Sequence, residues 1–505
     1  MKYLVISLFL LVSIMIRYLV GLHSYSGQSK PPMYGDYEAQ RHWMEITTKL
    51  PVHQWYFNGT DNDLMYWGLD YPPLTAYISW VFGKVGEYIE PQSMELYSSR
   101  GYQSESSKLF MRLTVILSDI VIWIPSVVFF VQTFYQHQPL RKKIQALLFI
   151  SLQPGLLLID HGHFQYNGIS LGLALFGITF LLKKQDLLGS LFFVLSLNYK
   201  QMSLYYAPAF FFFLLFSNFK VNQIGTSIIR ILKIGLTVVV CFIICWLPFL
   251  SIEQSSQVLF RLFPFARGLY EDKVANFWCF ISILVNLKNI LTVDKIIKLC
   301  TICTLTGLVP MIYSLLRSNS IFQKNVDKVS ENQRTVFIYS LINSSFSFFL
   351  FSFQVHEKSI LLVTLPVSLL ILKHPFMSWS FGLVSTFSMF PLLFKDGLVI
   401  PYLAIMIVYT VIGYQQVQEE QSTKENQSTL KKVYLYLGLI IPMVGIHIIY
   451  QFIKPPTTLP YLWLLLVCNF SFSHFITNLF YFVYKMFTIK SSENSRPNSK
   501  QTKIK

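Results

Sequence analysis

The stretch YLVISLFLLVSIMIRYLVGL, Tyr3 to Leu22, decides the fold class. Twenty mostly apolar residues at about 1.5 Å per residue make a helix as long as a bilayer core is thick, about 30 Å. Lys2 precedes the run, no small-residue cleavage pattern follows, and further runs come after it, so a retained signal anchor is expected. Working outward, apolar runs recur near 109–134, 144–160, 168–182, 187–199, 203–217, up to Leu250, 295–316, 335–353, 359–372, 376–394, 398–414, 434–453 and 459–486. The expectation is an all-α polytopic membrane protein with about fourteen transmembrane helices, several too short to cross untilted. Composition agrees: 53% of the 505 residues are hydrophobic, 13% are charged, and 45 are Phe.

The net charge of +16 does not point to nucleic acid. Lys and Arg gather in short segments between runs and in the tail Lys490 to Lys505, so the charge reports topology. The six cysteines lie mostly in apolar runs, and the pair Cys300 and Cys303 has no second pair or histidine at zinc spacing. Neither a disulfide framework nor a metal centre is expected.

Basic residues then orient each crossing, with the N-terminus cytosolic. The expected division is a signal-anchor span at 1–22, a lumenal loop at 23–108, spans with short loops at 109–250, a second lumenal loop and interfacial segment at 251–294, C-terminal spans at 295–487, and a disordered basic cytosolic tail at 488–505. Between 276 and 316 the runs read as one crossing or two; basic residues from Arg317 to Arg334 favour one. A loop as long as 23–108 is expected to be functional. It carries the sequon Asn58-Gly59-Thr60, a possible N-glycosylation site if lumenal.

With this topology the long loop, His161 to His163, Arg261 to Asp272, and His356 to Lys358 all fall on the lumenal side. A transporter would instead place ionisable groups near the midplane of broken, repeat-related helices. Arg112 and Asp119, seven residues apart on one helix face, are expected to pair with neighbouring helices. Inside the long loop lies Tyr66-Trp67-Gly68-Leu69-Asp70-Tyr71-Pro72-Pro73-Leu74-Thr75. The prolines stiffen the backbone and suit the first turn of a short helix, so Asp70 is held in place. It reads either as a fixed general base or as an acid that satisfies a helix N-terminus.

The string Tyr34-Gly35-Asp36-Tyr37-Glu38-Ala39-Gln40-Arg41-His42-Trp43, the Trp67 to Tyr77 segment, His163-Phe164-Gln165-Tyr166-Asn167, Arg261-Leu262-Phe263-Pro264, Arg267-Gly268-Leu269, Asn276-Phe277-Trp278 and Val355-His356-Glu357-Lys358 occur in order. Together they resemble the endoplasmic-reticulum glucosyltransferases that extend lipid-linked oligosaccharide, and cover most of the chain. Two related enzymes share these features; Leu269-Tyr270-Glu271-Asp272-Lys273-Val274-Ala275 and the Tyr34 and Tyr66 strings resemble the first-glucose enzyme more. The resemblance implies a GT-C glycosyltransferase fold in the endoplasmic reticulum membrane, with a lumenal site and no cofactor or metal. The substrates implied are dolichyl phosphate glucose and a dolichyl-diphosphate high-mannose oligosaccharide. The second-glucose enzyme is the near alternative, and a lipid-linked oligosaccharide flippase the distant one.

A β-linked donor that yields an α-1,3 product inverts the anomeric centre, so one in-line displacement and one base suffice. Asp70 is the expected base. Arg267, His356 and Lys358 are the expected partners of the donor phosphate, although His356 and Lys358 also read as an interfacial pair. Asp36 either caps a helix or lines the cleft; Glu38 is a second cleft candidate. Glu271 and Asp272 either orient acceptor sugar or balance Lys273. Trp67 and Tyr71 are expected to contact sugar, the other aromatics of the loop to form an interfacial belt. His161 and His163 read as structural.

Overall fold

A computed structural model describes residues 2–263, 274–319, 330–421 and 434–489, and all regular structure among them is helical. Among the described residues six helices are long and apolar enough to cross a bilayer: Glu105–Phe134, Val221–Phe249, Val293–Asn319, Glu331–Phe351, Val399–Glu419 and Leu462–Thr488. A further pair, Leu140–Ser151 and Pro154–Phe164, is long and apolar enough when taken together and bends by 44° at its break. Shorter apolar helices run over Ser7–Gly21, Asn167–Leu182, Asp186–Tyr199 and Leu437–Phe452.

The remaining apolar runs are interrupted, for local reasons. The 359–372 run is helical only over Leu361–Ser368, with Pro366 inside it. The 376–394 run divides into Pro375–Phe387 and Phe390–Lys395, the second opening on a proline. Residues 276–291 contain two short helices, Phe277–Ile281 and Leu287–Ile290, ahead of the 27-residue Val293–Asn319 helix.

Packing in the helical body relies on small residues and self-satisfied hydroxyls. Where Asn167–Leu182 turns back into Asp186–Tyr199, a Cβ on Gly177 would stand 3.0 Å from the carbonyl oxygen of Gly189, so glycine lets the two backbones approach without a shift. Glu331–Phe351 is almost wholly buried, and its hydroxyls return to their own helix: Ser340 to Val336 O, Ser345 to Leu341 O and Ser347 to Asn343 O, each 2.8 Å.

The loop after the first helix, α1 (Lys2–Gly21), folds as α2 (Gly35–Lys49) packed on α3 (Pro73–Ile89). At 17 residues α3 is longer than the short helix expected after the double proline. Below it the buried Arg17 of α1 donates to Asp119 at 2.6 Å, and His161 Nε2 reaches the same oxygen at 3.0 Å. Arg112 donates to the carbonyls of Gly21, Ser24 and Gly162. Both expected buried charges thus have partners on neighbouring segments. Asp119 and His161 each lie in a π-helical turn, Asp119–Trp123 and Leu158–Phe164. The extra residue in such a turn re-aims side chains, and these turns are frequent at functional sites.

Candidate active site

Asp36 stands in the first turn of α2, and its backbone N–H donates to Ser26 Oγ. Its carboxylate does not cap α2. One oxygen, Oδ2, receives Lys358 Nζ at 2.6 Å and Gln165 Nε2 at 2.5 Å, and lies 3.1 Å from His163 Nε2. On the other side of the ring, His163 Nδ1 is 2.5 Å from Asp396 Oδ2. A histidine with a carboxylate at each nitrogen is satisfied as the imidazolium, which donates at both. Burial pushes the Asp36 carboxyl up, but Lys358 and His163 outweigh it and hold the group well below the usual carboxylate range. Lys358 is held above its ordinary value: burial opposes its charge, and Asp36, Glu357 and Asp396 favour it more strongly.

His163 owes its position to the bent helix pair. The π turn ends at Phe164, whose φ of 90° is unusual for a non-glycine residue. Phe164 is fully buried, edge-on to Tyr166 and under the Arg112 guanidinium, so packing over-determines the strained backbone.

Asp70 lies three residues before α3, partly exposed, on a segment held from several sides. Gln201 Nε2 donates to Asp70 O at 3.1 Å. Arg261 donates from Nε to Leu69 O at 3.1 Å and from Nη2 to Gly68 O at 2.8 Å. Trp43 Nε1 donates to Trp67 O at 2.9 Å, and Tyr56 OH to Tyr71 O at 2.7 Å. The backbone is stiff by these hydrogen bonds as well as by its prolines, and Asp70 does not cap α3, whose N-cap is Pro72.

Between the Asp36 network and the Asp70 segment sits Lys200. Its ammonium donates to Asn167 Oδ1 at 2.7 Å and Gln165 Oε1 at 3.1 Å and stands 4.9 Å from the centre of the Tyr71 ring. Burial and the charge of Lys358 bring it down to about 8, against the pull of Asp160, Asp36 and Asp70. The carboxylates of Asp36 and Asp70 thus act on one cation, although they come from different parts of the loop.

The other expected site residues fare differently. Lys358 joins the network, and His356 directly precedes its turn, partly buried. Tyr71 lies beneath Lys200 and packs on Trp43, with ring centroids 4.9 Å apart. Trp67 has a left-handed backbone, φ 50°, and its indole N–H donates to Met33 O. Glu38 is turned into the protein. It is fully buried, its oxygens 2.6 and 2.8 Å from Arg41 and 2.8 Å from the Tyr66 hydroxyl, and Arg41 also binds Glu45. That pairing was legible, since Glu38, Arg41 and Glu45 follow i, i+3 and i+4 spacing. Asn58 is exposed, its Oδ1 accepting from Leu64 N. Arg267, Glu271 and Asp272 lie outside the described residues, as does the tail from 490.

His163, expected to be structural, stands at the centre of the Asp36 network, while His161 braces Asp119. Lys200 and Asp396 are not among the expected site residues, and Gln165 enters only within the His163 to Asn167 motif. The signal for Lys200 and Asp396 is a polar residue at the end of an apolar run.

The chain matches the model of the ALG6, ALG8 glycosyltransferase family over residues 13–481. It is 64% identical to the probable dolichyl pyrophosphate Man9GlcNAc2 alpha-1,3-glucosyltransferase of Dictyostelium discoideum, over 96% of this chain and 95% of that one. It is 43% identical to the protein of that name from Gallus gallus, over 99% of both. It is 42% identical to the probable enzyme from Arabidopsis thaliana, over 99% of this chain and 92% of the other.

Proposed function

Because the chain belongs to the ALG6, ALG8 glycosyltransferase family, we propose that it adds the first glucose, in α-1,3 linkage, to the dolichyl-diphosphate Man9GlcNAc2 oligosaccharide used for N-glycosylation. The donor is dolichyl phosphate glucose, the fold GT-C, and the site lumenal in the endoplasmic reticulum membrane. The names of the relatives support the acceptor and the linkage. One observation carries the chemical reading: Asp70 stands on a backbone segment fixed by Gln201 and Arg261, and its charge acts on Lys200 together with that of Asp36, which binds Lys358.

The reaction needs one base and one stabiliser of negative charge. Asp70 takes the proton from the acceptor 3-hydroxyl as that oxygen attacks the anomeric carbon. The bond from that carbon to the phosphate oxygen breaks, and its electron pair stays on the lipid phosphate. That leaving group needs positive charge rather than a proton, and Arg267, His356 and Lys358 are assigned to its side. Asp36 keeps Lys358 charged and in place. Trp67, Tyr71, Glu271 and Asp272 are assigned to acceptor contacts. Glu38, bound to Arg41, braces the loop instead.

The test is transfer by purified protein from dolichyl phosphate glucose, in EDTA, to unglucosylated and monoglucosylated lipid-linked acceptors in parallel. Transfer to the unglucosylated acceptor alone is expected. Transfer to the monoglucosylated acceptor would make this the second-glucose enzyme, and folded protein inert on both would refute the assignment.

A further inference from the structure

Lys200 is built into its place with unusual care. On its N-terminal side the carbonyl of Tyr199 accepts from the Thr75 hydroxyl, and on its C-terminal side Gln201 donates to Asp70 O. The lysine backbone is therefore stitched at both neighbours to the segment that carries Asp70. Its tip is fixed as well, by Asn167 Oδ1 and Gln165 Oε1.

Both partners at the tip are neutral amide oxygens. Among the described residues no carboxylate lies within ion-pair distance of Lys200, whereas Lys358 has Asp36 at 2.6 Å. An ammonium carries three N–H donors, and the two amides take two of them. Lys200 thus presents a fixed positive charge with no carboxylate bonded to its tip, and a third donor over Tyr71. Neutral partners orient such a cation without cancelling its field, which suits it to charge that develops during reaction.

We propose that Lys200 is an anion-binding residue of the donor subsite, its ammonium taking a phosphate oxygen of the lipid-linked donor and keeping it on the lipid phosphate product. The inference rests on the glucosyltransferase reading above and assigns the cation that Lys358, neutralised by Asp36, only partly supplies. In the displacement the phosphate gains the electron pair of the broken carbon–oxygen bond, and Lys200 meets that added charge with a hydrogen bond that strengthens as the bond breaks.

The experiment compares full-length wild type with Lys200→Gln, Lys200→Met and Lys200→Arg in detergent. It reads initial rates at varied donor and acceptor, and inhibition by short-chain dolichyl phosphate, the product analogue. Lys200→Gln keeps an N–H donor for Asn167 or Gln165 but removes the charge, so it serves where the methionine variant does not fold. The neutral variants are expected to lose about 10²-fold in kcat/KM for the donor. Their inhibition constant for dolichyl phosphate should rise about tenfold, with acceptor KM unchanged and partial recovery in Lys200→Arg. An unchanged inhibition constant with a shifted pH profile would overturn the inference and make Lys200 a modulator of Asp70. A parallel rise in donor and acceptor KM with lowered Tm would overturn it in favour of a structural role. Failure of the wild type to transfer glucose from dolichyl phosphate glucose refutes the parent reading instead, so the two failures are distinguishable.

Discussion

Two aspartates illustrate how residue-scale surroundings divide the work of a site. Asp70 sits on a clamped loop segment, partly exposed. Asp36 is committed to Lys358, Gln165 and His163. Asp70→Asn is expected to cut glucose transfer by about 10² to 10⁴ while the protein stays folded by gel filtration. Full activity in that variant would remove Asp70 as the base. Asp36→Asn is expected to cost stability instead, about 2 kcal/mol at pH 7, by leaving Lys358 and His163 facing a neutral group. The sign with pH follows from the two shifts. The depressed Asp36 carboxyl contributes stability that is fully present above about pH 4 and is lost as pH falls through its folded value. The raised Lys358 contributes stability present below about pH 10.5 and lost as pH climbs through its folded value. The Tm gap between wild type and Asp36→Asn should therefore close as pH falls below about 4. A gap that widens in acid would contradict the pairing.

Helices place these groups only because particular pairs approach closely. The hairpin of Asn167–Leu182 and Asp186–Tyr199 delivers Asn167 at one end and Lys200 just beyond the other. Its seam depends on Gly177 and Gly189, since side chains there would strike the Gly189 carbonyl and Leu181 respectively. Gly177→Val is expected to destabilise by about 1–3 kcal/mol and to weaken donor use, because it splays the helices that carry the Lys200 cradle. Gly235 makes the control: a Cβ there meets nothing within 4 Å, so Gly235→Ala should leave activity intact and raise stability by about 0.5–1 kcal/mol. Thermal unfolding of both variants, read beside donor KM, checks the pair. Equal shifts would show that helix propensity rather than the seam governs this region.

At the scale of the whole molecule, α1 is bound to the body through a charge rather than through apolar packing alone. Arg17, fully buried, joins Asp119 and the backbone of Ser151, and His161 shares Asp119. This places a charged tie beneath the π turn that ends in His163 and Phe164. Arg17→Met is expected to cost about 3–5 kcal/mol, because it leaves Asp119 buried with its main cation gone. Adding Asp119→Leu should recover a large part of that loss. A double-mutant cycle in thermal unfolding measures the coupling, and additive losses would show that the two side chains act independently.

Chain-local properties were legible from residue types alone. The length of apolar runs imposed a polytopic helical body, and Pro72 and Pro73 marked a stiff segment after Asp70. Ordered motifs over most of the chain marked the family, which the comparison over residues 13–481 shows. Tertiary structure alone decided which polar residues share a cleft. It brought His163 and Lys358 to Asp36 from 127 and 322 positions away along the chain, and Asp396 to His163 from 233. It turned Glu38 inward to Arg41 and raised Lys200 from an unremarked loop lysine to a fixed cation beside the expected base. The physical reason is that hydrophobic length and proline stiffness belong to one segment of chain, whereas the role of a charge depends on which partners neutralise it, and those partners meet only when the helices pack.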